Sequence, residues 1–164
     1  MRGIRRDKKH ASLTDFLTQK DPRSDVAVFP SKKALQCYAA MLGFEAKSRV
    51  PLPSSGAVDS IEWHTFDNGE YTDFIYLIAL GAAQDLTVLQ YDIEKSDQGD
   101  VAEDMVAVFE EYANGGFDIL QRWLDKTPTD RHGTEAILLG LQRDEYLSVQ
   151  KDKDSSRSFP EIEF

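Results

Sequence analysis

Phe109-Glu110-Glu111-Tyr112-Ala113-Asn114-Gly115-Gly116-Phe117 is the stretch on which the reading of this 164-residue chain turns. Ahead of it, Val101, Met105, Val108, Phe109 and Tyr112 recur at spacings that place them on one helical face. Behind it, Phe117, Leu120 and Leu124 form a second stripe, with Ile119 and Trp123 beside it. Between the stripes, Asn114-Gly115-Gly116 reads as a helix stop. Glycine is the least strained residue in the left-handed conformation that ends many helices, and asparagine tolerates it better than most. The expectation is a tight corner between two helices that fold onto a shared core. As a site, Glu110, Glu111, Tyr112, Asn114, Gly115 and Gly116 are therefore read as a helix junction. The alternative is a docking element in which the carboxylates or the glycine amides meet a partner.

On the N-terminal side, Ala11 to Gln19 reads as a short helix, broken by Asp21-Pro22-Arg23-Ser24. Pro30-Ser31 opens a second helix through Leu42, which Gly43 should end. Glu45 to Ser60 is loop-like around Pro51 and Pro53, with room for a short strand or hairpin. Asp67 and Glu70 have capping-box spacing, and Phe66 can staple against Tyr71. The helix they start, Asn68 to about Ala83, is apolar nearly all round from Phe74, the pattern of a central, most buried helix. Asp85 to Gln90 extends that helix or forms a short strand. Asp92 to Asp100 reads as a charged linker, Thr134 to Tyr146 as the last helix, and the tail from Gln150 lacks periodicity. The fold class expected is mostly α: a compact single domain of five or six helices with at most a small β element. It divides into a basic N-terminal arm (1–10), a helical domain (11–149) and a disordered tail (150–164).

Apolar content of 41% and nine phenylalanines fit a globular protein with a proper core. The longest apolar run, Phe74 to Ala83, is too short to span a bilayer, and no apolar stretch follows the basic start, so neither a membrane span nor a signal peptide is read. One cysteine, Cys37, excludes an internal disulfide and is read as a buried, inert thiol. The expected location is the cytoplasm. The net charge of −10 is uneven: residues 1–10 sum to +4, leaving −14 for the rest. Within 92–111 eight carboxylates face one lysine, Lys95. Such a body repels nucleic acid over most of its surface, while the arm could attract it.

Chemistry is sparse. His10, His64 and His132 lack the spacing that puts two metal ligands on one helix face. Glu45-Ala46-Lys47 has the Glu-x-Lys pattern of metal-dependent nucleases but follows a helix end, and no glycine-rich phosphate loop is present. No catalytic residue, metal or cofactor is assigned. The arm is the candidate interaction element: Arg5, Arg6, Lys8, Lys9 and His10 would meet phosphates or an acidic partner, without aromatic residues to stack on bases.

Two stretches together, Arg5-Arg6-Asp7-Lys8-Lys9-His10 and Phe109 to Gly116, resemble the DNA phosphorothioation-associated protein 4 family, encoded beside the Dnd bacterial defence genes. Ala39 to Phe44 and Ile61 to Phe66 fit the same pattern in the same order, so the likeness spans about residues 5 to 125. The resemblance implies cytoplasmic work alongside systems that place sulfur in the DNA backbone and restrict unmodified DNA, with other proteins of the Dnd cluster as partners. It carries no catalytic assignment. The function expected is that of a non-enzymatic accessory protein acting through protein contacts, with weak DNA contact at most; the alternative is a DNA-binding regulator that uses the arm.

Overall fold

The helix stop is absent. In a computed structural model, which describes residues 2–54, 57–67, 71–89 and 99–146, the quoted stretch lies inside one helix of 27 residues, Gly99–Asp125. At 1.5 Å per residue that helix is about 40 Å long. Neither Gly115 nor Gly116 has a positive φ; among the described residues only Gly133 does so of the glycines. The two apolar stripes are one continuous stripe.

The elements in chain order are strand β1 (Ile4–Asp7), a 3-10 turn (Lys8–His10), α1 (Ala11–Thr18), α2 (Lys32–Glu45), β2 (Val58–Ile61), α3 (Trp63–Asp67), α4 (Thr72–Ala83), a 3-10 turn (Leu86–Leu89), α5 (Gly99–Asp125) and α6 (Thr134–Arg143). The described residues thus hold six α-helices and one two-stranded sheet, a mostly helical fold with a small β element. Asp92 to Gln98, most of the expected linker, and the tail after Gln150 lie outside the described residues, as does the Glu70 side of the capping box.

The glycines act through space instead of through φ. A Cβ on Gly116 would sit 1.8 Å from the carbonyl oxygen of Ala39, and one on Gly115 would sit 1.9 Å from that of Ser48. From the other side, a Cβ on Gly43 would lie 2.0 Å from the Tyr112 carbonyl oxygen. α2 and α5 therefore cross with their backbones in contact. Gly43 does not end α2 either: the helix runs two residues further, starts on the Ser31 hydroxyl, which accepts from the Ala34 N–H at 3.2 Å, and turns off where Lys47 takes a φ of 53°.

Around this crossing the core closes with Leu35, Ala39, Ala40 and Leu42 from α2, and Met105, Phe109, Ala113, Phe117 and Leu120 from α5. Phe66 is buried edge-on against Phe109, ring centres 6.1 Å apart. The strand allowed for between residues 45 and 60 exists as β2, but its antiparallel partner is β1, with Ile4 opposite Ile61 and Asp7 opposite Val58. Residues 4–10 are consequently part of the folded body and no free arm; Ile4 belongs to the core.

The central helix is α5, not α4. On α4 only Ile75, Ile78 and Ala79 are buried, and Leu77 stands 63% exposed. The last helix ends at Arg143, three residues before the expected boundary.

Replacing Gly116 with alanine tests the crossing by its sign. In an unobstructed helix the change should stabilise by up to ~1 kcal/mol. Against the Ala39 carbonyl it should instead cost about 1–3 kcal/mol, the scale of overpacking. Urea midpoints of the two proteins decide, and a raised midpoint for Gly116→Ala would refute backbone contact.

Candidate functional site

Helical spacing puts Glu110 and Asn114 on the same buried face of α5 as Phe109, Ala113 and Phe117. A carboxylate there must find donors, since an unpaired buried charge costs several kcal/mol. The N-terminal strand supplies them. The Glu110 side chain has no exposed surface. Its Oε1 accepts from the Arg5 backbone N–H at 2.6 Å and from Arg2 Nη1, while Oε2 accepts from Arg2 Nη2 at 3.0 Å and Arg5 Nη2 at 2.9 Å. Two guanidinium groups and one peptide N–H thus converge on one carboxylate. The strand is held from α2 as well: the Gln36 side-chain amide donates to the Arg5 carbonyl at 2.8 Å.

One turn on, Asn114 repeats the device. Its Nδ2 faces the carbonyls of Val50 and Pro51 at 3.3 and 3.2 Å, and its Oδ1 lies 3.0 Å from His10 Nε2. Since the amide nitrogen is committed to those carbonyls, Oδ1 accepts and His10 Nε2 carries the proton. His10 is 2% exposed and stacks on Phe117 with ring centres 5.1 Å apart. Burial lowers its pKa below the usual 6.5, against the opposing pull of Asn114 and Asp118. The imidazole is a neutral structural group.

The remaining motif residues divide between inside and rim. Lys9 pairs with Asp118 at 2.9 Å, and the Asp7 carboxylate accepts from the Lys9 N–H to start the 3-10 turn. Arg6 is buried beside Asp59, its nearest carboxylate, at 3.5 Å. Glu111, one position off the buried face, pairs with Arg49 at 2.5 Å, and that guanidinium also lies over the Tyr112 ring. Tyr112 in turn meets Phe44 edge-on. Lys8 is exposed.

The structure therefore joins the two sequence motifs directly, Arg5 to Glu110 and His10 to Asn114, and ties Lys9 to Asp118 just beyond the second. The helix junction among the expected site roles is replaced by a clasp between the N-terminal strand and the middle of α5. Sequence reading missed Arg2, Gln36, Arg49 and Asp118. The available signal was Glu110 and Asn114 four residues apart within an apolar stripe, two buried polar groups that require partners.

Chemically this arrangement holds the N-terminal strand to α5. Both Glu110 oxygens are occupied, and His10 is committed to Asn114. Cys37 is buried, and burial pushes its thiol up to about 12. Among the described residues no three His, Cys, Asp or Glu side chains gather as a metal site. A cavity of about 380 Å³ lies away from the clasp, between Phe16, Val26, Arg131 and His132. Glu103 and Asp104, within the acidic stretch 92–111, have side chains outside the described set.

The family model described as DNA sulphur modification system-associated protein 4 matches residues 3–158, nearly the whole chain. The chain belongs to that family. No curated protein and no solved structure matches it.

Two outcomes follow from the clasp. Glu110→Gln keeps the shape but removes the charge that Arg2 and Arg5 face. Because both guanidiniums reach solvent, the loss should be about 2–3 kcal/mol, toward the low end for a broken buried pair. Hydrogen exchange should show residues 4–7 losing protection first; protection unchanged from the wild type would refute the clasp. For His10 the folded pKa is below the unfolded one, so the unfolded chain takes up the proton first. Stability is full above pH 6.5 and falls as pH drops below it. NMR titration should place the His10 midpoint below 6.5, and His10→Gln should flatten the fall in urea midpoint between about pH 7 and 5.

Proposed function

As a member of the family of DNA sulphur modification system-associated protein 4, this chain is, we propose, a non-enzymatic accessory protein of a bacterial Dnd defence system. It works in the cytoplasm, where modified DNA and the modifying proteins are, and acts through protein–protein contacts. The observation that carries this reading is the inward use of the N-terminal cations. Arg2 and Arg5 are turned onto Glu110, Arg6 is buried, and Lys9 is paired with Asp118. Cations spent on internal carboxylates release no counterions from a duplex, and the net charge of −10 opposes approach to DNA. Family membership supports the setting. Among the described residues no helix is long and apolar enough to cross a membrane.

The DNA-binding regulator is the competing reading, and its strength depends on the same residues. If Arg5, Arg6, Lys8 and Lys9 each neutralised one phosphate, affinity would fall with a log–log salt slope of about −3.6. For an accessory protein the slope should be near zero, and binding at physiological salt no tighter than the ~10⁻⁶–10⁻⁴ M of non-specific contact. Fluorescence anisotropy with duplex DNA across 50–200 mM salt separates the two. The probe variants are Lys8→Ala and Lys9→Ala, because deleting the strand would remove core residue Ile4. Tight binding lost in those variants would establish the regulator.

A further inference from the structure

The sheet has two strands and therefore two outer edges, and the edge of β1 is in use. Arg5 donates its N–H to Glu110 Oε1 at 2.6 Å, and its carbonyl accepts from the Gln36 amide at 2.8 Å, so both groups point away from β2. Arg5 stands opposite Ser60, and Asp7 opposite Val58. Main-chain direction alternates along an antiparallel pair, so these are the two pairs that exchange no hydrogen bond across the sheet. The Lys8 N–H, bonded to the Ala57 carbonyl at 2.8 Å, keeps the same alternation. The N–H and C=O of Val58 and of Ser60 therefore point outward, along the free side of β2.

Among the described residues nothing bonds to these outward groups. Ser60 is exposed, and β1 is the element with which β2 makes its extensive contacts. A row of open N–H and C=O groups is a template for a further strand. The outward pairs on Val58 and Ser60 recur roughly 7 Å apart, the two-residue repeat of an extended chain, which a helix cannot match.

We propose that β2 accepts, as a third strand, an extended segment of another protein of the same DNA sulphur modification system. The main chain of that segment bonds to Val58 and Ser60, and its residue opposite Asp59 is Lys, Arg, Ser or Thr. That position exchanges no main-chain bond, so side chains stand closest there and a like charge is excluded. The Asp59 side chain is 45% exposed and 3.5 Å from Arg6, which leaves it open to such a neighbour. Of the exposed charges beside the edge, Glu62 and Lys8 are of opposite sign, so recognition rests on the main chain and on Asp59. A second copy of this chain is the poorer occupant. The two-fold register that engages both Val58 and Ser60 of each copy sets one Asp59 directly opposite the other. Each copy also brings a net charge of −10. The inference rests on the accessory reading and adds to it the surface and the way the partner is held.

Hydrogen exchange, read at single amides, is measured on the full chain alone and in the complex co-purified from its native host. Alone, the Val58 and Ser60 amides should exchange about tenfold or more faster than that of Asp59, which faces β1; in the complex they should slow by a similar factor. Ser60→Pro removes an outward N–H that β1 does not use, and proline is tolerated on such an edge. It should cut recovery of the system's proteins about tenfold, while circular dichroism and the protection of residues 4–7 match the wild type. If the variant disturbs that protection, the wild-type exchange data decide alone. A Ser60 amide already protected in the isolated chain, one unprotected in the complex, or undiminished recovery with an intact Ser60→Pro fold would overturn the third strand and leave the accessory reading standing. Protection gained when the isolated chain self-associates would assign the edge to a second copy and overturn it equally. If the wild type recovers none of the system's proteins, the accessory reading fails with it.

Discussion

Contact between the backbones of α2 and α5 is the constraint on which the rest of the molecule depends. Gly43, Gly115 and Gly116 each remove a Cβ that would stand 2.0 Å or less from a carbonyl oxygen of the facing segment. A glycine inside a helix is unfavourable by roughly 0.5–1 kcal/mol relative to alanine. Three of them are tolerated because close approach brings two long surfaces into van der Waals contact. It also brings the segment after α2 against α5, where Val50 N–H donates to the Glu111 carbonyl at 3.0 Å. Asn114 then has the Val50 and Pro51 carbonyls within reach. With a larger separation that amide would lose its partners.

The second constraint is electrostatic and follows from the first. With α5 pressed into the core, position 110 is inside, and a glutamate there cannot remain alone. Low dielectric strengthens every donor contact it makes and raises the cost of leaving one unmade. Arginine suits the task because its charge persists in a buried pair and its planar fork matches a carboxylate. The Arg5 backbone N–H adds direction, since it can point at Oε1 only when β1 is in register. A buried polar contact of this kind fixes which residue of the strand lies over which turn of α5. A purely apolar contact would tolerate sliding.

This use of charge bears on function. Within the basic start, Arg2 and Arg5 meet Glu110 and Lys9 meets Asp118, so these cations hold the strand to α5. Glu110 faces in; Glu111, one residue later, faces the rim and holds Arg49.

Much of the fold was legible because helix amphipathicity is a local property. The stripes around Phe109 and Phe117, the helix opened by Ser31 and the inert Cys37 could all be read from neighbours in sequence. The position of the site was legible too, in the two motifs that prove to touch. Their meaning was not, because Arg5 and Glu110 are 105 residues apart and spacing along the chain says nothing of such a pair. The glycines show the same boundary. Asn-Gly-Gly is a helix end by propensity, worth about 1 kcal/mol per glycine; a helix packed along its whole length outweighs that preference. Sequence by itself determined most of the helical segments and the mostly α class with a small β element. Only the tertiary structure decided that α5 continues through its glycines, that the basic start is a strand, and that α4 keeps an apolar side exposed, because each depends on what lies opposite in space.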